Sequence, residues 1–109
     1  MLELWQTEWC PASRRVRERL TELGVDYLTR QVPVEREHRN ALRAATGTNS
    51  IPVLLLDDGS SVVGEAAIGS WLDDHVTEPA EANAHRLKAE KARRRYLEEE
   101  CTCLQPVTH

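Results

Sequence analysis

The most apolar run of the chain, residues 51–56, reads Ile-Pro-Val-Leu-Leu-Leu. Continuous apolar runs of this length are typical of strands buried on both faces of a sheet. Pro52 has no N–H to donate to a neighbouring strand, so a proline here fits only at the first position of the strand. The peptide bond before such a proline can be cis. The sequence therefore predicts a central strand that starts at Pro52 and leaves the N–H and C=O of Ile51 available to a ligand.

A strand, a helix and a second strand precede this run. Residues 2–5 and 25–32 have the apolar patterns of strands, and residues 11–23 between them carry apolar side chains at helical spacing. Gly24 suits the position just after a helix end. This order predicts two parallel strands joined by a right-handed crossover.

Three further elements are predicted around the central strand. Residues 35–46 indicate a second helix, with Arg39 on its charged face. Asp57-Asp58-Gly59-Ser60 is typical of a tight turn into a strand at 61–63, which would run antiparallel to the central strand. Residues 66–76 complete the set as a third helix, so the first 76 residues predict an α/β domain around a mixed sheet.

Thr77-Glu78-Pro79 separates this domain from a second part of the chain. A chain of 109 residues is long enough for one domain with a real core and an appendage. Residues 77–109 are rich in helix formers but have few apolar anchors, so we expect a helical extension and a flexible C-terminal tail. The predicted division is thus 1–76 and 77–109.

The charge and the hydropathy pattern exclude several classes of function. A formal net charge of −4 is unlike that of general nucleic-acid or anionic-membrane binders, which need positive surface. No run approaches the ~20 apolar residues of a membrane span, and the N-terminus lacks a secretory signal pattern. We therefore expect a cytoplasmic protein. Its four histidines show no mutual spacing for a metal site, and no metal is expected.

Cys10 stands where the first strand passes to the first helix. Pro11 suits the first helical position, which places Cys10 at the N-cap, facing the positive end of the helix dipole. Cysteines at helix N-termini can have pKa values of roughly 3.5–7.5 instead of about 8.5. Cys10 is therefore a candidate nucleophile, the alternative being an inert buried thiol. Trp9 beside it either lines a thiol or acceptor pocket or packs in the core.

Over residues 2–76 the chain resembles the thioredoxin fold in its glutaredoxin and glutathione S-transferase N-terminal form. Cys10-Pro11-Ala12-Ser13 is similar to a glutaredoxin Cys-Pro-x-Cys site, with Ser13 in place of the resolving cysteine. Ile51-Pro52-Val53-Leu54, followed by Asp58-Gly59, Val62 and Glu65, is similar to the glutathione-site segment of the transferases. The resemblance implies a four-stranded mixed sheet built as βαβ, α, β-hairpin and α, with a C-terminal helical extension.

The same resemblance implies glutathione or another low-molecular-weight thiol as co-substrate. Cys10 would attack or pair with its sulfur. Ser13 is the second catalytic candidate, the alternative being an ordinary helix residue in place of a lost thiol. Ile51 would bond the tripeptide backbone as an added strand does, and Glu65 would hold its α-amino group. The remaining residues of the expected thiol site are Trp9, Pro11, Pro52 and Ala66.

Two residues depart from the family pattern. Ala66 stands where many relatives have Ser or Asp, so only its N–H and the helix dipole remain for the γ-glutamyl carboxylate. Glu8 lies in a region that often supplies a cation in glutaredoxins. Its negative charge is expected to raise the pKa of Cys10.

The favoured hypothesis is a monothiol glutaredoxin-like thiol-disulfide oxidoreductase, in which the Cys10 thiolate attacks a glutathionylated protein or a small mixed disulfide. One alternative is a stand-alone transferase-like domain that conjugates or dehalogenates an electrophile. It ranks lower because residues 77–109 are too few for the helical domain that usually supplies the acceptor pocket. The other is a non-enzymatic module that binds a protein or an iron–sulfur centre through Cys10. A protein partner on the C-terminal helix is compatible with each.

Cys101 and Cys103 allow two interpretations. They are either a pair of thiols on a mobile tail or a source of the resolving thiol that Ser13 does not provide. In the second case one of them would attack a mixed disulfide on Cys10.

Overall fold

The computed structural model describes residues 1–104, with side chains described as far as Arg95. Its strands are β1 (Leu2–Gln6), β2 (Tyr27–Gln31), β3 (Val53–Leu55) and β4 (Ser61–Val63). Its α-helices are α1 (Pro11–Glu22), α2 (Asn40–Thr46), α3 (Glu65–His75) and α4 (Ala82–Leu104), and a short 3-10 helix, Arg36–His38, precedes α2. None of the helices in this part of the chain combines the length and apolarity needed to cross a membrane.

The strands form one mixed sheet in the order β2-β1-β3-β4. Strands β1 and β2 are parallel, whereas β3 is antiparallel to both β1 and β4. The predicted βαβ unit, the hairpin and the four-stranded mixed sheet of the thioredoxin fold are therefore confirmed. Pro52 directly precedes β3, and the Ile51–Pro52 peptide bond is cis.

The core lies on both faces of this sheet. Leu4 and Leu54 are paired across β1 and β3, and both pack with α1 and α3 in the larger cluster. Their neighbours Trp5 and Val53 pack with Leu42 of α2 in a smaller cluster. Because successive strand residues point to opposite faces, α2 covers the face opposite to α1 and α3.

The segment predicted as one helix over residues 35–46 is divided in two. Arg39 lies between the 3-10 helix and α2, with a backbone φ of −87° and ψ of 47° that interrupts the helix. Its guanidinium is buried and donates to backbone carbonyls instead of facing solvent. The expectation that Arg39 belongs to a charged face is therefore wrong, because helical periodicity does not reveal a bond to a carbonyl of a neighbouring loop.

Helix α4 lies against α1. Ala82 at its start is fully buried, Arg86 pairs with Glu22 at 3.4 Å, and Arg93 pairs with Glu18 at 2.6 Å. The predicted helical extension is therefore present as α4. Cys101 and Cys103 fall within its range, but their side chains lie outside the described residues, and both interpretations of them stay predictions.

Candidate functional site

Three segments converge at one end of the sheet. Because β3 is antiparallel to β1 and β4, the C-terminal ends of β1 and β4 lie beside the N-terminal end of β3. Cys10 follows β1, Ile51 precedes β3, and Glu65 begins α3 directly after β4. The topology therefore brings the predicted nucleophile, backbone segment and carboxylate to the same end of the sheet.

Cys10 is the N-cap of α1. Its backbone is extended, with φ of −72° and ψ of 119°, and its Sγ accepts a hydrogen bond from the Ser13 N–H at 3.5 Å. Pro11 occupies the start of the helix, as its missing N–H allows. The predicted N-cap position is confirmed, and the Cys10 thiol is free and partly exposed.

The surroundings of Cys10 favour the thiolate. Burial raises the pKa of the Cys10 thiol, but the Ser13 hydroxyl, the N–H groups of Ser13 and Ala12 and the positive charge of Arg15 together lower it below its usual value. The Ser13 Oγ is buried and has no hydrogen-bond partner within the described part of the chain, so its hydroxyl is available to the sulfur. Ser13 is thus placed to stabilise a negative charge on Cys10.

The expected effect of Glu8 is not found. Its carboxylate accepts a hydrogen bond from Gln6 Nε2 at 3.0 Å and pairs with the Arg17 guanidinium at 3.6 Å. Arg17 also donates to the Thr7 and Glu8 carbonyls, both at 3.3 Å. The groups that shift the pKa of Cys10 do not include Glu8.

Arg15 joins the cysteine to the predicted carboxylate. Its Nε and Nη2 donate to Glu65 Oε2 and Oε1 at 2.5 and 2.9 Å, a two-bond pair between α1 and α3. The Arg15 hydrogen bond lowers the pKa of Glu65, so this carboxylate stays ionised. From helical spacing alone, Arg15 is expected on the solvent-exposed face of α1. Its partner is 50 residues away in sequence, and helical spacing gives no sign of it.

A groove of about 530 Å³ runs between α1 and α3. Arg15, Glu65 and Ala66 line one part of it, together with small residues of α3. Cys10, Trp9 and Ile51 are not among its lining residues. The groove therefore begins at Glu65 and extends along α3, away from the Cys10 sulfur.

Ile51 keeps its backbone groups free. Neither its N–H nor its C=O bonds to another of the described residues, whereas the Pro52 carbonyl accepts from the Gly64 N–H at 2.8 Å. That bond ties the start of β3 to the start of α3. Trp9 is 64% exposed, so packing in the core does not explain this side chain.

Through Arg95, no cluster of three or more His, Cys, Asp or Glu side chains is arranged to hold a metal ion. The reactive and charged groups described at this end of the sheet are the Cys10 thiol, the Arg15 guanidinium and the Glu65 carboxylate.

Residues 4–80 match the family model of the glutathione S-transferase N-terminal domain. A search of curated proteins finds no match. Among solved structures, a glutathione S-transferase from Rhodospirillum rubrum F11 is 29% identical with a TM-score of 0.60, over 73% of this chain and 38% of that one. A glutathione S-transferase domain-containing protein from Marinobacter aquaeolei VT8 is 30% identical with a TM-score of 0.60, over 72% and 40%.

A glutathione S-transferase from Methylobacillus flagellatus KT, crystallised with bound glutathione, is 26% identical with a TM-score of 0.59, over 69% of this chain and 37% of that one. The chain therefore spans only 37% to 40% of the length of these three relatives.

Proposed function

The chain belongs to the family of glutathione S-transferase N-terminal domains, and on this premise we propose that it is a monothiol thiol-disulfide oxidoreductase that uses glutathione. The observation that carries the proposal is the free Cys10 thiol at the N-cap of α1, with its pKa lowered and Ser13 at the place of a resolving cysteine. A bound glutathione in the Methylobacillus flagellatus relative supports the choice of thiol.

In the proposed reaction, the Cys10 thiolate attacks the glutathione sulfur of a glutathionylated protein or small mixed disulfide. The substrate disulfide breaks, a Cys10–glutathione disulfide forms, and the substrate sulfur leaves as a thiolate. A second glutathione thiolate then attacks the glutathione sulfur of that intermediate. This step releases glutathione disulfide and regenerates the Cys10 thiolate, so electrons and sulfur atoms balance without a second protein thiol.

The proposed glutathione site uses the convergent segments. The free N–H and C=O of Ile51 pair with the tripeptide backbone, and Pro11, Pro52 and Trp9 border the thiol. The ionised Glu65 carboxylate, held by Arg15, accepts the α-ammonium group. Ala66 offers its N–H at the start of α3 to the neighbouring carboxylate.

Replacing Cys10 by Ser tests the proposal. Reduction of a glutathionylated peptide, followed by the formation of glutathione disulfide, should fall to the uncatalysed rate because a hydroxyl is not ionised at neutral pH. The matched control is the double change Cys101→Ser and Cys103→Ser, which should leave turnover intact. Equal rates for Cys10→Ser and the unmodified protein would refute the proposal, and loss of turnover in the control would indicate a resolving thiol.

A second candidate is glutathione conjugation. The three relatives are named transferases or transferase-domain proteins, and the exposed Trp9 beside Cys10 offers an apolar surface to an electrophile. Conjugation of a panel of chlorinated aromatic and epoxide substrates distinguishes the two activities.

Three broader expectations belong to the same proposal. The protein acts in the cytoplasm, residues 1–76 form the catalytic domain, and α4 within residues 77–109 offers a surface to a protein partner.

A non-enzymatic role in which Cys10 binds an iron–sulfur centre is the remaining alternative, and anaerobic reconstitution with iron and sulfide tests it by colour.

A further inference from the structure

Arg39 is a buried cation with no carboxylate partner among the described side chains. It is 5% exposed, and its guanidinium donates to three backbone carbonyls: Nε to Pro33 at 2.8 Å, Nη1 to Asn49 at 2.9 Å and Nη2 to Val34 at 3.0 Å. Burying a charge is costly unless its hydrogen-bonding groups are satisfied. These carbonyls are therefore the partners that make burial of Arg39 tolerable.

The three carbonyls belong to two different connections. Pro33 and Val34 follow β2, whereas Asn49 lies between α2 and β3, only two residues before Ile51. The other hydrogen bonds of residues 48–50 are local: Thr46 donates to the Thr48 carbonyl at 3.5 Å, and the Ser50 N–H donates to Thr48 Oγ1 at 3.1 Å. Arg39 therefore links the segment before Ile51 to the connection that follows β2.

We infer that Arg39 is a positioning residue for the thiol site. It fixes the Asn49 carbonyl and so the direction in which Ile51 presents its free N–H and C=O. Hydrogen bonds weaken steeply when donor and acceptor are misaligned, so a small rotation of this segment weakens both bonds to a ligand backbone. The inference rests on the proposed function, because it takes glutathione as the ligand.

The experiment measures glutathione affinity and thiol reactivity in the same variants. In Arg39→Met the dissociation constant of glutathione, measured by calorimetry, should rise about tenfold, as expected when the two Ile51 hydrogen bonds to the ligand backbone are weakened. The rate at which iodoacetamide alkylates Cys10 should not change, because Arg39 is not among the groups that shift the pKa of Cys10. A general loss of structure would change both quantities.

Arg43→Met is the matched control. Arg43 also donates to backbone carbonyls, those of Arg36 at 3.1 Å and Glu37 at 3.4 Å, but makes no bond to residues 48–51. Its replacement should leave the dissociation constant within about twofold, because it removes the same kind of hydrogen bond without affecting residues 48–51. Circular dichroism at the assay temperature verifies that each variant is folded.

Arg39→Lys covers the case in which Arg39→Met does not fold. An ammonium group cannot span three carbonyls as the planar guanidinium does, so the dissociation constant should still rise severalfold while alkylation is unchanged. An unchanged constant in folded Arg39→Lys or Arg39→Met overturns the inference and leaves the proposed function intact. Absence of glutathione binding by the unmodified protein overturns the proposed function, and this inference with it.

Discussion

Cys10 owes its character to short-range contacts and to one longer one. The N-cap position and the hydrogen bond from Ser13 come from residues 10–13 alone. The positive charge comes from Arg15, which is half exposed and also holds Glu65. Local hydrogen bonds therefore lower the pKa of the Cys10 thiol, and the charge of Arg15 lowers it further.

Replacing Arg15 by Gln should raise the pKa of Cys10, because a positive charge that stabilises the thiolate is lost. The alkylation rate of Cys10 should then rise with pH through an inflection at higher pH than in the unmodified protein, so the variant reacts more slowly near neutral pH. The difference should shrink at about 1 M salt, which screens interactions between exposed charges more than about 3 Å apart.

Arg14→Gln is the control for that measurement. Arg14 precedes Arg15 on α1 and pairs with Glu18 at 3.8 Å, but it does not shift the pKa of Cys10. Its inflection should coincide with that of the unmodified protein. Equal displacement by both substitutions would mean that the charge of α1 as a whole, not Arg15, acts on the sulfur.

What the sequence reveals at this scale depends on the distance between partners along the chain. Cys10 at an N-cap follows from Pro11 and the helical pattern beside it, and the structure confirms it. The roles of Arg15 and Arg39 require partners on other elements or in a loop ten residues away, and both look like surface arginines in a helical pattern. Long cationic side chains reach partners that periodicity cannot identify.

At the scale of elements, α2 shows why the ends of a helix matter to the site. It ends at Gly47 with a backbone φ of 76° and ψ of 4°, and the Gly47 N–H donates to the Arg43 carbonyl at 2.8 Å. The segment that leads to Ile51 starts from this left-handed residue. The helix ends at residue 46, as the sequence predicts, but the 3-10 helix before α2 is not predicted, because Arg39 is held there by tertiary contacts.

Two glycine substitutions should have opposite effects on stability. Gly47→Ala should lower the free energy of unfolding by about 1 kcal/mol, because a side chain is disfavoured at this positive φ. Gly69→Ala, inside α3 with open space around the new Cβ, should raise it by roughly 0.5–1 kcal/mol by favouring the helix. Urea denaturation measures both, and a loss of stability in Gly69→Ala would show that α3 needs its small residue there.

On the scale of the whole molecule, α4 is attached through a buried first residue and several ion pairs. Ala82 is fully buried, whereas the pairs of Arg86 with Glu78 and of Arg93 with Glu18 are partly exposed. Exposed ion pairs contribute only about 0–1 kcal/mol each. The attachment of α4 therefore depends on the burial of Ala82 at its start more than the number of charges suggests.

Ala82→Asp should release α4 from α1, because a carboxylate cannot be buried there without a partner. Tryptic cleavage in α4 should become on the order of tenfold faster, since α4 then opens more often. The glutathione dissociation constant should be unchanged if residues 1–76 form the binding domain. Ala84→Asp, at an exposed position of the same helix, is the control. Loss of glutathione binding in Ala82→Asp would show that α4 belongs to the catalytic domain.

The order of the strands also has a kinetic consequence. Strand β1 begins the chain but lies inside the sheet, with β3 on one side, and the Arg15–Glu65 pair joins residues 50 positions apart. The βαβ unit pairs residues 25 positions apart, such as Leu2 and Tyr27, whereas the other side of β1 pairs only after a longer loop has closed, which costs more chain entropy. We therefore expect the segment that holds the thiol to form before its carboxylate and backbone partners join it during folding.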